Sequence, residues 1–376
     1  MFLKVEESPA DMAPDPGTYL QQHNEAIMLA RAGKFAEARE KLLALIRDNA
    51  DAPVDSRSLK ALWQVARNEG DWRTALAAGF RAATIDPLDF PFVNRVLQSL
   101  AAAPLEAIRS GGTPSLMPIS QSMPSLSVVI VSQDDARHAA VTREYDAAFA
   151  QWPHQRIRIK GAASMYEGYA RGFAQATGDI VVFSHDDIRF AVPDFAARLA
   201  DVMSYSDFAG VAGTTNLGGP ALLWSGHPHL HGAITHSAAG RAPFEFGVLS
   251  LSGPRIAAAQ ALDGVFIAAR RDWVERIGFD TTHISGFHFY DLDFTYRAFA
   301  AGARMTIAND LGLIHRSRGE YGSDWVAAQA VFQRKHPQLA AEPGSHRHWY
   351  TLELPDELAV ARHHAKLNAA WQLELA

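Results

Sequence analysis

Two groups of acidic residues have the types and spacing that metal binding or proton transfer requires. Asp186 and Asp187 stand directly after the apolar run DIVVFS, with His185 before them. Adjacent carboxylates at the end of a buried strand are costly unless a cation or hydrogen-bond donors accept their charge. Asp291 and Asp293 open a helical pattern later in the chain. Asp-rich turns and helix caps would explain both groups without any chemistry.

The residues around the first acidic pair alternate between strand and helix patterns. The runs LSVVIVS, RIRIK and DIVVFS predict three short strands, and helical patterns at about 136–149 and in MYEGYARGFAQAT separate them. This alternation predicts an α/β sheet with right-handed crossovers. Ligands of such sheets bind beyond the carboxyl ends of the strands. We therefore expect the polar residues that follow these strands to converge on one site.

A helical region precedes the sheet. From Tyr19 to about Ile108, apolar residues recur at helical spacing, and two segments align on Gly33 and Gly70. The segments resemble tetratricopeptide repeats, although the glycines are 37 residues apart and only the second segment ends in the expected proline. A further helix is predicted at about 90–110. The resemblance implies either a peptide-binding groove or a surface for homo-oligomer formation.

Composition limits the class of protein. A net charge of −6 gives no broad positive field, which disfavours a nucleic-acid partner. The absence of cysteine excludes disulfides and thiolate zinc sites. No secretory signal or 18-residue apolar stretch is evident, so we expect no membrane span and a cytoplasmic protein. We predict five segments: an extended or disordered N-terminus at 1–18, helical repeats at 19–110, a linker at 111–125, an α/β core at 126–322 and a helical extension at 323–376.

The stretch GYARGFAQATGDIVVFSHDDI resembles family 2-type glycosyltransferases, which have the nucleotide-diphospho-sugar-binding GT-A fold. In that family a helix with small residues leads through a Gly-acid turn into the strand before the metal-binding carboxylates. The resemblance implies that Asp187 coordinates Mn²⁺ or Mg²⁺, with His185 as a further metal ligand. It places Asp186 near the metal and the ribose. A dication there would neutralise charge on the departing nucleotide.

A second stretch, ALDGVFIAARRDWVERIGFD followed by FYDLDFTYR, resembles the family's other half-site. Tyr290 stands where relatives usually have glutamate. The resemblance implies that Asp291 is the general base of an inverting transfer, in which one carboxylate takes the acceptor proton. Asp293 would point about 200° around the helix from Asp291. Helix capping, or orientation of its neighbour, is the alternative for each aspartate.

The resemblance also extends to the segment after the next predicted strand. His315 corresponds to a histidine that relatives place near the donor diphosphate, which implies a third metal ligand. Arg316 and Arg318 would then meet phosphate oxygens. A structural role for His315 is the alternative.

The nucleotide base is less well defined. We expect a UDP-linked sugar donor, but the second strand ends in IKGAASMYEG and lacks the carboxylate that commonly recognises uracil in the family. Gln133, Asp134 and Asp135, which follow the first strand, are the candidates for contacts with the base or ribose. The sequence therefore does not identify the base of the nucleotide.

Three histidines form a separate cluster in WSGHPHLHG. His227, His229 and His231 alternate, so a strand would place them on one face. Three imidazoles could hold zinc. A loop that binds the acceptor, or is simply solvated, is the alternative, since Pro228 and two glycines interrupt the pattern.

These observations predict an inverting glycosyltransferase with a nucleotide-sugar donor and a divalent cation. The helical repeats favour a protein or peptide acceptor. A polysaccharide or lipid-linked acceptor and a non-catalytic adaptor with a degenerate transferase domain are the alternatives. A nucleotidyltransferase would need a glycine-rich phosphate loop after the first strand, and SQDDARHAA contains none.

Overall fold

The computed structural model describes residues 16–49, 56–109, 124–237, 241–317, 322–339, 344 and 349–375. These residues form two compact units. The first comprises the described residues of Met1–Ser110 together with Ala369–Ala376, and the second those of Gly111–Asn368. The predicted N-terminal segment 1–18 and the predicted linker 111–125 lie mostly outside the described residues.

The first unit is helical, as predicted. Its helices are α1 (Pro16–Arg31), α2 (Phe35–Asp48), α3 (Ser56–Glu69), α4 (Trp72–Ile85), α5 (Phe90–Ala102) and α6 (Leu105–Ile108). Gly33 and Gly70 turn the chain between α1 and α2 and between α3 and α4, with φ of 78° and 76° that favour glycine. The helix pairs are therefore present, whereas their relation to tetratricopeptide repeats stays a prediction.

The second unit is a mixed α/β structure. In chain order its elements are β1 (Leu126–Val131), α7 (Asp135–Ala148), β2 (His154–Ile159), α8 (Met165–Phe173), β3 (Ile180–Ser184), β4 (Ile188–Phe190), α9 (Phe195–Tyr205), β5 (Phe208–Gly210), β6 (Ala212–Thr214), β7 (Leu230–Ser237), β8 (Phe244–Val248), β9 (Arg255–Ala257), β10 (Ala261–Leu262), β11 (Phe266–Arg270), α10 (Arg271–Ile277), α11 (Tyr290–Ala300), β12 (Met305–Ala308), β13 (Leu313–His315), α12 (Ser323–Lys335), β14 (Tyr350–Leu354) and α13 (Glu357–Ala370). In the described part of the chain, no helix combines the length and apolar character needed to cross a lipid bilayer.

One seven-stranded sheet has the order β2-β1-β3-β11-β5-β12-β9. β1 is parallel to β2 and β3, whereas β11 runs antiparallel to both β3 and β5. Every residue of β3 is buried, because side chains cover both faces of this central strand. Val182 belongs to one apolar cluster, and Val181 and Phe183 belong to the other. The predicted fold class is confirmed: a mixed sheet flanked by helices, preceded in the chain by an all-α region.

A second sheet has the order β10-β6-β7-β13-β4, with β8 beside β7 and β14 beside β8. The sequence patterns did not predict it, because several of its strands are only two or three residues long. β14 also corrects the prediction for residues 323–376. That segment is not wholly helical, since Tyr350–Leu354 pairs antiparallel with Phe244–Val248.

Helix α11 begins from an unusual backbone conformation. Phe289, its N-cap residue, has φ of 63°, in the left-handed region that non-glycine residues rarely adopt. Its ring is buried and lies 5.2 Å from the ring of Trp325 and 5.4 Å from that of Phe332, both on α12. The residue with this unusual backbone conformation therefore has its side chain packed against α12.

Asp293 in the first turn of α11 is fully buried and satisfied by four donors. Tyr166 donates to its Oδ2 at 2.6 Å and Arg297 at 2.9 Å, while the Oδ1 atom lies 2.7 Å from both Lys335 Nζ and His336 Nε2. Burial raises the pKa of Asp293, but these bonds and charges outweigh it and hold the pKa below its usual range. Asp293 thus anchors α11 to α8 and to the end of α12.

Replacing this anchor is expected to destabilise the protein. Asp293→Asn leaves buried cationic donors unpaired and is expected to lower the free energy of unfolding by about 3–5 kcal/mol at pH 7 in urea titrations. Because the folded pKa is depressed, this stabilisation is present above about pH 4 and is lost as the pH falls. The exposed Asp272→Asn is the control, expected to change stability by less than about 0.5 kcal/mol. Equal effects of the two substitutions would contradict this assignment.

Candidate metal and proton-transfer site

The candidate site lies where the chain passes from the first sheet to the second. β3 ends at Ser184 in the first sheet, and β4 begins at Ile188 in the second. The intervening backbone is held on both sides. The N–H of His185 donates to the carbonyl of Val265 at 3.1 Å, and the N–H of Arg316 donates to the carbonyl of Asp187 at 2.9 Å.

His185, Asp187 and His315 bring three potential metal-ligand atoms within 4.8 Å of one another. His315 Nε2 lies 3.3 Å from Asp187 Oδ1, and His185 Nδ1 lies 3.3 Å from His315 Nε2 and 4.0 Å from Asp187 Oδ1. These are the three residues that the family resemblance implies as metal ligands. In the structure, His185 and Asp187 come from the connection between β3 and β4, and His315 is the last residue of β13.

The electrostatics of the cluster suit a cation. Burial raises the pKa of Asp187, but the hydrogen bond from His315 and the neighbouring imidazoles lower it more, so the carboxyl stays ionised. Burial, reinforced by His315, lowers the pKa of His185, which favours a neutral ring with a lone pair. Divalent transition metals accept one carboxylate and two imidazoles as ligands. Three protein ligands leave coordination positions on the metal for other oxygen atoms. The residues present therefore fit the cation implied by the family resemblance.

Asp291 lies beside this cluster. Its Oδ2 accepts a hydrogen bond from the Gly264 N–H at 2.9 Å. Burial, followed by the charge of Asp263, raises the pKa of Asp291 to about 7. The preceding residue, Tyr290, links the two groups, because its hydroxyl lies 2.9 Å from His185 Nε2. Asp291 is thus connected to His185 through Tyr290 and through the neighbouring residues Gly264 and Val265, and its role as a base stays a prediction.

Asp186 and Asp134, both predicted to contact the donor, have protein partners. Asp186 Oδ2 accepts from the Ser132 hydroxyl at 2.6 Å and is partly exposed. Asp134 caps α7 by accepting from the N–H groups of Ala136 and Arg137, at 2.7 and 3.0 Å. The cap gives Asp134 a structural role, and contacts of either aspartate with a donor stay predictions.

Gln133 and Asp135, the other candidates for base or ribose contacts, join the ends of β1 and β2. The side-chain oxygen of Gln133 accepts from the Gly161 N–H at 3.0 Å. Asp135 forms ion pairs with Arg158 at 2.6 Å and Lys160 at 2.5 Å. Both side chains are therefore engaged within the protein, and their contacts with a nucleotide stay predictions.

The two predicted phosphate ligands differ in what the structure describes. Arg316 follows the candidate metal ligand His315 directly, and the described residues provide no hydrogen-bond partner for its buried Nε. Arg318 lies outside the described residues. A guanidinium has the donors for a phosphate contact, and this role of Arg316 stays a prediction.

The second histidine cluster does not resemble a metal site. His231 lies in β7 with its Nδ1 2.8 Å from the Ser250 hydroxyl, and burial lowers its pKa to about 4. His227 is buried next to Pro228. Within the described ranges, converging ligand atoms are found for His185, Asp187 and His315, and not for this cluster. The zinc alternative therefore has no geometric support.

Several residues near the site were not identified as site residues from the sequence. Asp263 approaches Asp291, the Ser317 hydroxyl lies 3.1 Å from His315 Nε2, and the ring of His236 lies 5.5 Å from that of His315. The pairing of β7 with β13 places His236 opposite His315. No local sequence pattern indicates this pairing, because β13 has only three residues.

The sequence of this region identifies the protein's family. Residues 147–336, half of the 376-residue chain, match the profile described as "Glycosyltransferase like family". The chain belongs to this family, which confirms the resemblance noted from the two motifs. No functionally curated protein matches the sequence significantly.

Solved structures with weak similarity to this chain include three proteins. GalNAc-T7 with UDP, GalNAc and Mn²⁺ has 11% identity and a TM-score of 0.33 over 53% of this chain and 44% of its own. The mannosyltransferase PcManGT from Pyrobaculum calidifontis, in complex with GDP-Man and Mn²⁺, has 12% identity and a TM-score of 0.36 over 79% of this chain and 84% of its own. S. aureus TarS 1-349 has 12% identity and a TM-score of 0.30 over 51% and 60%. The chain spans less than half of the GalNAc-T7 structure, and these similarities assign no ligand to it.

The geometry predicts unequal roles for the two adjacent aspartates. Asp187→Asn is expected to weaken Mn²⁺ binding at least about 100-fold in isothermal titration calorimetry, or roughly 2.7 kcal/mol, because the amide removes the anionic ligand. Asp186→Asn, whose carboxylate bonds Ser132, is the matched comparison and is expected to change Mn²⁺ affinity less than about tenfold. The reverse order of effects would contradict the assignment of Asp187 as ligand.

Proposed function

We propose that the protein is a metal-dependent, inverting glycosyltransferase that moves a sugar from a nucleotide-sugar donor to an acceptor hydroxyl or amide. The observation that carries this proposal is the adjacency of a metal-type cluster and a proton-accepting carboxylate. His185, a member of the cluster, contacts Tyr290, and the next residue is Asp291. Family membership supports the general class of reaction.

His185, Asp187 and His315 would hold the cation. A bound cation would neutralise charge at the diphosphate and so make the nucleotide a better leaving group. Two imidazoles with one carboxylate favour Mn²⁺ over Mg²⁺, because Mg²⁺ prefers oxygen ligands. Arg316, next to His315 in the chain, would add a positive charge near the phosphates.

Asp291 would accept the acceptor's proton. An inverting transfer is a single displacement, so the acceptor attacks the anomeric carbon as the nucleotide departs from the opposite face. The attacking group loses a proton in that step, and a carboxylate with a pKa of about 7 is suited to take it near neutral pH. Asp293 has the opposite environment, since four donors surround it. Its role in this proposal is structural.

A protein or peptide acceptor, held partly by α1–α5, is the substrate that we favour. Paired helices with exposed side chains on α1, including Leu20 and Met28, could contact an extended peptide or a second copy of the chain. A polysaccharide or lipid-linked acceptor is the alternative within the same reaction. The adaptor hypothesis is disfavoured, because a degenerate site would not be expected to retain both the ligand cluster and a carboxyl with a raised pKa.

A donor screen tests the proposed activity. Nucleotide-sugars with UDP and GDP are added to the purified protein with and without Mn²⁺, and thermal unfolding is followed. A donor at 100 times its dissociation constant is expected to stabilise the protein by about 2.7 kcal/mol only when Mn²⁺ is present. Slow hydrolysis of the same donor, followed by release of the nucleotide, is the second readout. Absence of both binding and hydrolysis for every donor would favour the adaptor.

Asp291→Asn is expected to separate proton transfer from donor binding. The hydrolysis or transfer rate should fall about 10²–10⁴-fold, because the base is removed, while the donor dissociation constant stays unchanged. The control is Asp272→Asn, on the exposed start of α10, which should retain full activity. Unchanged rates in Asp291→Asn would refute its role as base.

Inversion is tested by NMR of the transfer product. The sugar in the product should have the opposite anomeric configuration to the sugar in the donor.

The pH dependence of the rate tests the electrostatic environment of Asp291. A base with a pKa of about 7 is protonated and inactive at lower pH, so kcat/KM should rise about tenfold per pH unit below 7 and then reach a plateau. Asp263→Asn removes the neighbouring negative charge, so the rise should move to lower pH. A rise that stays at the same pH in Asp263→Asn would contradict the coupling between the two acids.

A further inference from the structure

Tyr290 is a buried side chain, 5% exposed, that contacts one edge of the His185 ring. Its hydroxyl lies 2.9 Å from His185 Nε2. The other ring nitrogen, Nδ1, faces the cluster, 3.3 Å from His315 Nε2 and 4.0 Å from Asp187 Oδ1. The two nitrogens of His185 therefore have different partners.

A phenol oxygen can donate and accept at once, so the tautomer of His185 decides the direction of its bond with Tyr290. The Tyr290 hydroxyl lies 3.4 Å from the carbonyl oxygen of Gly264, which can only accept, and it also has the Tyr169 hydroxyl as a neighbour. With its proton directed to either of these oxygens, the phenol can accept from His185 Nε2–H. A neutral imidazole with its proton on Nε2 has its lone pair on Nδ1, the nitrogen that faces Asp187 and His315.

Gly264 brings this arrangement together with the candidate base. Its carbonyl accepts from Tyr290, and its N–H donates to Asp291 at 2.9 Å. A Cβ at position 264 would lie 2.3 Å from the Tyr290 hydroxyl and 2.9 Å from the Asp291 Cβ, closer than real Cβ contacts. Only glycine allows the first turn of α11 to approach this peptide so closely.

We propose that Tyr290 is a positioning residue for the metal site, which fixes His185 with its proton on Nε2 and so makes Nδ1 the metal-binding atom. Together with Gly264, it ties the metal ligands and the candidate base into one rigid unit. The inference rests on the proposed metal site. Partners that hold the second nitrogen of a metal-bound histidine set its tautomer and ring orientation, and their loss commonly costs 10–100-fold in metal affinity. Here a neutral phenol has that role.

Mn²⁺ affinity, measured by calorimetry on the full-length chain without donor, tests the proposal. Tyr290→Phe keeps the ring but removes the hydroxyl, and the dissociation constant for Mn²⁺ should rise about 10–100-fold. In a His185→Ala background, Tyr290→Phe should have no further effect, because the hydroxyl acts only through that imidazole. Additive effects in the double variant, or an unchanged affinity in Tyr290→Phe, would overturn the inference.

Tyr166→Phe is the matched control. It also removes a buried phenol hydroxyl, but that hydroxyl bonds Asp293 and not a candidate metal ligand. Mn²⁺ affinity should therefore stay within about twofold of the native value. An equal loss in Tyr166→Phe and Tyr290→Phe would show that loss of a buried hydroxyl alone accounts for the effect, and would refute the specific role of Tyr290.

A direct measurement of the tautomer covers the case in which Tyr290→Phe does not fold. Long-range ¹H–¹⁵N correlation spectra of histidine-labelled native protein distinguish a proton on Nε2 from one on Nδ1, with His185→Ala providing the assignment. The expected result is a proton on Nε2 of His185 in the metal-free protein at neutral pH. A proton on Nδ1 would overturn the inference. Failure of the native protein to bind Mn²⁺ would refute the proposed metal site and the inference together. If the native protein binds Mn²⁺ and Tyr290→Phe binds it equally well, the metal site stands and only the role of Tyr290 is refuted.

Discussion

The contact of a nearly buried carboxylate with two imidazole rings is the interaction on which the candidate site depends. Asp187 is 8% exposed, and its negative charge would be costly there without nearby donors or a cation. His185 and His315 meet this need together, one from the end of β3 and one from the end of β13. The connection between the two sheets is thus placed where charge compensation is required. This constraint explains why the backbone on both sides of Asp187 is hydrogen-bonded to other segments.

Two aspartates of one helix illustrate how environment separates roles. Asp291 and Asp293 are two residues apart, yet the first has a raised pKa and the second a lowered one. Burial opposes charge at both positions, and the difference lies in the neighbours. Asp291 has a backbone N–H and another carboxylate close to it, whereas Asp293 has two cations, an imidazole and a phenol. Neighbouring acids whose environments shift their pKa values in opposite directions can take different protonation states at the same pH.

The parts of this structure that the sequence could predict are those with local signals. Continuous apolar runs predicted β1 and β3, and the family motifs predicted that Asp187 and His315 would belong to one site. The second sheet has no such signal, since its strands are short and pair across long stretches of chain. Local pattern also cannot distinguish an aspartate that binds a ligand from one that caps a helix, as Asp134 does. The bond between His185 and Tyr290 joins residues 105 positions apart, so only the folded chain reveals it.

The left-handed turn at Phe289 has a consequence for the order in which the molecule matures. A non-glycine residue in that conformation costs roughly 1–2 kcal/mol, so the turn needs compensation from the packing of its ring on Trp325 and Phe332. Those rings belong to α12, which leaves the ribosome after all three candidate metal ligands. A nascent chain that ends before α12 would thus contain the ligands without the support that directs the start of α11. The start of α11, which carries Tyr290 and Asp291, therefore gains this support only after α12 has been synthesised.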